Sequence, residues 1–172
     1  MRTLLRLPDG GFDRIVRHVL PPNSLVEHAA FLHLKQTPMA EGSTAFDVID
    51  EDLLQEHEFE TQESDYLELK AETRARLIKR AHDLGASLAE IHSHPGPWPA
   101  QFSEADRQGL LETVPHMQWR LSGRPYIAIV VAPSGFDALV WGQGERQPAP
   151  LTAVLAGQEL LRPTNLSLGG WS

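Results

Sequence analysis

The chain contains no cysteine, and that single absence removes thiol nucleophiles, thioester carriers, structural disulfides and cysteine-ligated zinc. No apolar run reaches the roughly 18 residues of a membrane span, so none is expected. The opening MRTLLRLPDGGFDRIV is interrupted by Arg6 and Asp9 and lacks the continuous apolar stretch of a secretory signal. Cytoplasmic placement is the expectation. Basic charge is scarce as well: 15 Lys and Arg face 23 Asp and Glu, for a formal net charge of -8. Without a Lys/Arg-rich run to offset it, that charge would repel a phosphate backbone, which argues against a nucleic-acid partner and favours one with a basic face or tail. No Gly-x-Ser-x-Gly elbow accompanies Ser93 or Ser103, so a Ser-His-Asp hydrolase is disfavoured.

What remains is an ordinary globular composition: 172 residues, 41% apolar and 22% charged. It predicts one folded domain, in which residues 1–150 form the main body and 151–172 a C-terminal helix and tail. LVEHAAFLHL reads as a strand entered after Glu27, Gln36 to Thr44 as a turn carried by Pro38, Gly42 and Ser43, and 45–49 as a paired strand. The acidic stretch DEDLLQEHEFETQESD reads as a solvated loop. Apolar spacing from Tyr66 to Leu84, stopped by Gly85, predicts a helix. ASLAEIH predicts a short strand leading into the stiff, proline-rich HPGPWPAQF, and a second helix is expected from near Ser103 to before Pro115. PYIAIVVA and FDALVW, joined by Ser134-Gly135, predict a hairpin, and LTAVLAGQELL a short helix. Phe136, Trp119 and Trp141 are expected in the core or the hairpin, and Trp98 over a strand end. The alternation predicts a mixed sheet flanked by helices, with any site at strand ends beside the next helix.

With thiols excluded, eight histidines and many carboxylates point to water activated by a metal ion. Side chains alternate along a strand, so His92 and His94 share a face with Cα atoms roughly 6.5 to 7 Å apart. A carboxylate from the next element would complete a three-ligand site, and Asp106, in the first turn of the following helix, is suitably placed. Peptide hydrolysis also needs a base outside the metal shell, for which Glu27, Glu41, Glu90 and Glu104 are candidates. Ser103 could donate a hydrogen bond to an oxyanion, although Ser103 with Asp106 also reads as a helix capping box. His28 and His33 read as structural.

The string HSHPGPWPAQFSEAD, with an upstream glutamate, resembles the JAMM signature of the JAB/MPN metalloproteases, namely Glu, then His-Ser/Thr-His-Pro, then Ser-x-x-Asp. The resemblance implies an α+β fold, an α/β/α sandwich with a mixed, curved sheet. It further implies one Zn2+ per chain held by His92, His94 and Asp106, with Ser103 as oxyanion donor. Glu27 becomes the acid/base residue, because the family's glutamate lies just before an early apolar strand. The implied activity is isopeptide or peptide cleavage after the C-terminus of a ubiquitin-like protein, in conjugates or precursors. The implied partners are that protein, its conjugates, and the enzymes that activate or conjugate it. A catalytically silent scaffold of the same fold, binding a ubiquitin-like partner, is the rival. Eight residues separate His94 from Ser103, one more than the family's usual spacing, and the extra residue falls in the proline-rich loop.

Overall fold

Tyr126–Ala132 is buried at every position, which requires cover on both faces and a neighbour on each edge. The computed structural model, which describes residues 2–171, supplies both. In chain order the elements are β1 (Thr3–Leu7), α1 (Gly11–Val19), β2 (Ala29–Pro38), β3 (Thr44–Leu53), β4 (Phe59–Gln62), β5 (Leu67–Leu69) and α2 (Ala71–Leu84). There follow β6 (Ser87–Ser93), α3 (Glu104–Arg120), β7 (Tyr126–Ala132), β8 (Gly135–Trp141), β9 (Ala149–Pro150), β10 (Ala153–Ala156) and β11 (Glu159–Leu161). Nine strands form one mixed sheet in the order β11-β10-β1-β3-β2-β6-β7-β8-β9, and β4 pairs with β5 separately. Strand β6 runs antiparallel to β2 and parallel to β7, so it lies well inside the sheet.

The helices divide between the two faces. Phe12, Ile15 and Val19 of α1 pack with Leu5, Ala89, Ile91 and Ile129 on one side. Leu77, Ile78 and Ala81 of α2 and Leu110, Val114 and Met117 of α3 pack with Leu88, Ala128 and Val130 on the other. Over the described residues the protein is thus an α+β fold with a mixed sheet and three α-helices. No helix among the described residues is long and apolar enough to cross a membrane.

Several elements differ from the sequence expectations. Helix α2 begins at Ala71, because 67–69 pair with β4 as a strand, and it stops where Gly85 takes φ 62. The acidic stretch is not simply a loop, since Asp50–Leu53 extends β3 and Phe59–Gln62 forms β4. Its carboxylates meet cations: Asp50 pairs with Arg80, Glu51 with Arg14, and both Asp52 and Glu58 with Arg76. Exposed pairs contribute only about 0–1 kcal/mol each. Burial of Leu54 and Phe59 is therefore the larger driving force.

Helix α3 continues through Pro115 to Arg120. An interior proline costs about 3 kcal/mol, whereas burying Leu110, Val114 and Met117 stabilises by about 1.5–3 kcal/mol each. Pro115 itself sits on the exposed face, where water can satisfy the freed carbonyl. Trp119 shares that outer face and is 77% exposed rather than in the core. Phe136 and Trp141 are buried.

The expected C-terminal helix is a strand pair instead. β10 lies parallel beside β1, with Leu5 opposite Val154, and β11 folds back against it, so residues 153–161 belong to the same sheet. A short apolar run does not reveal whether its period is 2 or 3.6, and long-range pairing with β1 decides the outcome. Gly157 forms the turn at φ 63, its N–H donating to the Leu7 carbonyl at 3.0 Å. A Cβ there would lie 2.9 Å from Asp9 Cβ and 3.0 Å from Asp9 Cα. Gly157→Ala should therefore lower unfolding stability by about 1–3 kcal/mol in urea titrations, and an unchanged midpoint would refute this account of the turn.

Candidate metal centre

Strand β6 alternates as the strand period requires. Ala89 and Ile91 enter the core under α1, and Leu88, Glu90 and His92 face the α2 and α3 side. His92 sits in register between Ala29 of β2 and Val130 of β7, so its ring rises from the middle of the sheet beside two small or medium side chains. Ser93, fully buried, ties this end of β6 to the segment before β2. Its backbone N–H donates to the His28 carbonyl at 3.1 Å, and its Oγ accepts the His28 N–H at 3.0 Å. The Glu27 N–H donates to the Glu63 carbonyl at 2.7 Å, and the Gln62 amide donates to the Glu27 carbonyl at 2.9 Å. Glu27 is thereby carried to the histidines although it lies 65 positions before His92. His94 is placed by its own N–H, which donates to the Val131 carbonyl at 2.8 Å.

Three side chains converge at the start of α3. His92 Nε2 and His94 Nε2 are 3.3 Å apart, and Asp106 Oδ2 lies 3.3 Å from the first and 3.0 Å from the second. Ligand atoms about 2.0–2.1 Å from a tetrahedral ion lie roughly 3.3 Å from one another. The three edges fit that figure, and among the described residues this is the one such group of His and carboxylate donors. A His-His-Asp set could thus hold a metal ion; its donor types suit zinc and other first-row divalent ions.

Ser103 and Asp106 also form the capping box of α3. Asp106 N–H donates to Ser103 Oγ at 3.1 Å, and Ser103 N–H donates to Asp106 Oδ2 at 2.8 Å. A carboxylate that reaches back to a helix cap has to turn the same group towards the histidines if it is to meet them as well. The two roles coexist here, because the same carboxylate oxygen takes the cap N–H from one side and faces both imidazoles on another.

The charges are strongly coupled. Burial would raise Asp106, but the His92 charge, hydrogen bonds from both histidines and the Ser103 N–H hold it well below the usual carboxylate range. Burial would lower His92, but Asp106 outweighs it, with help from Glu27 and Glu90, and raises His92 to about 9. Glu27 is 3% exposed and its Oε1 lies 3.6 Å from His94 Nε2. Burial pushes its carboxyl up to about 7, against the opposing pull of His92 and His94.

Of the other candidate bases, Glu90 lines the same cavity but is engaged by another partner, and Glu41 and Glu104 lie away from the donors. Glu90 accepts a hydrogen bond from the buried Tyr126 hydroxyl at 2.8 Å, and burial raises its pKa. Glu41 sits in the turn beyond the far end of β2, roughly 30 Å of strand from Ala29. Glu104 is exposed and interacts with Arg107 and Gln108. His28 meets Gln62 at 3.2 Å through Nδ1, whereas His33 is fully buried with neither ring nitrogen hydrogen-bonded. Trp98 is 72% exposed and lies against Gly96 of its own loop, not over a strand end. A cavity of about 360 Å³ opens from Glu27, His92 and Asp106 along β5 and α3, past Tyr66, Leu67 and Thr113. Gln62 and Phe102, which no motif marks, also support the site. The Phe102 ring is buried and packs 5.8 Å from that of His92, and an aromatic residue directly before the Ser103 helix cap is the signal the sequence offers.

In sequence, the chain matches no protein-family model and no curated protein.

Ligation requires neutral imidazoles, and without an ion His92 carries a proton below about pH 9. Metal uptake should therefore release that proton, and apparent affinity should rise by up to about tenfold per pH unit as pH climbs from about 6 towards 9. Calorimetric titration with Zn2+ in buffers of different ionisation enthalpy measures both. Uptake without proton release would contradict a protonated His92, and stoichiometric uptake by His92→Ala would contradict the site itself.

Proposed function

We propose that the protein is a zinc-dependent isopeptidase or peptidase of the JAB/MPN type, acting after the C-terminus of a ubiquitin-like protein. The observation that carries this reading is the arrangement of a buried glutamate, at 3.6 Å from His94, beside three donors spaced for one tetrahedral ion. The helices on both faces of a mixed sheet are compatible with the MPN-like architecture. Bound there by His92, His94 and Asp106, a zinc ion would supply Lewis acidity, lowering the pKa of a water and polarising a carbonyl.

The protein's own residues account for the proton traffic. Glu27, with a carboxyl near neutrality, is matched to take a proton from the attacking water and return it to the leaving amine. The Ser103 hydroxyl is exposed, and its oxygen already accepts the Asp106 N–H, so its own proton is free to donate to the developing oxyanion. Helix α3 begins at this point, and its first-turn N–H groups add positive potential. The cavity beside β5 offers a lane in which an extended chain terminus can lie with its carbonyl at the donor triad. The formal charge of -8 suits a substrate with a basic face or tail.

On a linear fusion of a candidate ubiquitin-like protein, Glu27→Gln should lower turnover by at least about 10²-fold with its zinc content unchanged. Glu90→Gln should retain turnover, because its partner is Tyr126. Wild-type turnover should fall as pH drops through the Glu27 titration, since only the ionised carboxylate accepts a proton. Turnover lost with Glu90→Gln and kept with Glu27→Gln would overturn the assignment. A protein that purifies without zinc and ignores chelators would instead favour the silent scaffold.

A further inference from the structure

The loop between His94 and Ser103 has no helix or strand of its own, yet its end is buried, with Ala100 at 0% and Phe102 at 1% exposure. What holds it is the C-terminal tail. Thr164 Oγ1 donates to the Ala100 carbonyl at 2.7 Å, and Phe102 N–H donates to Ser167 Oγ at 2.8 Å. The tail is in turn gripped by Asp137 of β8, a carboxylate 1% exposed. Its Oδ1 accepts the N–H groups of Asn165 and Ala138, and its Oδ2 accepts the Ser167 N–H, all at 2.9 Å.

Asp137 lies in register with Val130, and Val130 with His92. Directly paired residues share a sheet face. The contacts therefore close a ring, running from Asp137 through Ser167 and Phe102 to the His92 ring, and back across the sheet through Val130. We infer that Asp137, acting through Ser167 and Phe102, is a positioning residue for the metal centre, and that the tail around 164–167 is part of that centre's mount. This inference rests on the metal-centre reading above.

The chemistry explains why an aspartate is needed. Both oxygens are used as acceptors by three N–H groups, so an isosteric asparagine would turn an amide donor towards at least one of them. That leaves a buried N–H unsatisfied and releases the tail. With the tail loosened, Phe102 loses its anchor, and with it the packing that orients His92 and the start of α3. Outer contacts that orient metal ligands characteristically alter affinity by about 10–100-fold when removed.

The test uses the full chain and Co2+ alone, whose visible absorption reports coordination geometry. Asp137→Asn and Ser167→Ala should each weaken Co2+ binding by about tenfold or more and shift or broaden the Co2+ bands. An Ile15 truncation on the opposite face of the sheet, chosen to match their loss of thermal stability, should leave both unchanged. Should Asp137→Asn fail to fold, Ser167→Ala, which removes only the acceptor for Phe102, decides the matter. Wild-type affinity and spectrum in the folded variants would overturn the inference while leaving the metal centre intact. No Co2+ uptake by the wild type would overturn both.

Discussion

Two imidazole nitrogens and a carboxylate oxygen, all within about 3.3 Å of one another, are the constraint on which the chemistry of this site depends. Lone pairs turned to a common point repel unless positive charge sits among them. In the ion-free protein the charge is a proton, which is why His92 rises to about 9 while Asp106 is held far down. A proton bridges at most two of the three donors at once, whereas a divalent ion engages all three. The three donors could thus hold a divalent ion together.

The architecture delivers these groups from distant parts of the chain. β6 contributes His92 from the interior of the sheet, the proline-rich loop spans to α3, and the cap of α3 aims Asp106. Glu27 arrives from before β2 because Ser93 and Gln62 stitch its neighbourhood to the ends of β6 and β4. Burial pushes both neighbouring acids up, but it prevails only at Glu27, raised to about 7, and is overwhelmed at Asp106 by the adjacent cationic imidazole. Two carboxylates a few ångströms apart become suited to different tasks, one to accept protons and one to remain a ligand. On the proposed reading, that division is what a hydrolytic site needs.

Much of the site was legible because its signals are local. Two histidines two apart on a strand must share a face, and an aspartate three residues after a serine at a helix start must sit in the first turn. The strands around β2, β6 and the β7–β8 hairpin were legible for the same reason. Elements defined by distant partners were not. β10 looked helical until paired with β1, β3 continued through acids whose charges are met by arginines on α1 and α2, and α3 ran past Pro115 because its buried face outweighs one lost hydrogen bond. Asp137 shows the same limit: an acid inside an apolar strand was visible, but its partners lie in the tail, 28 and 30 positions away.

Anomalous diffraction at the zinc edge, from crystals grown with stoichiometric Zn2+, addresses the central claim most directly. One peak per chain is predicted, bonded to His92 Nε2, His94 Nε2 and Asp106 Oδ2, with its remaining position open to solvent and Glu27 alongside. A peak elsewhere, Asp106 turned away from the ion, or a fourth side chain closing the coordination shell would contradict the account.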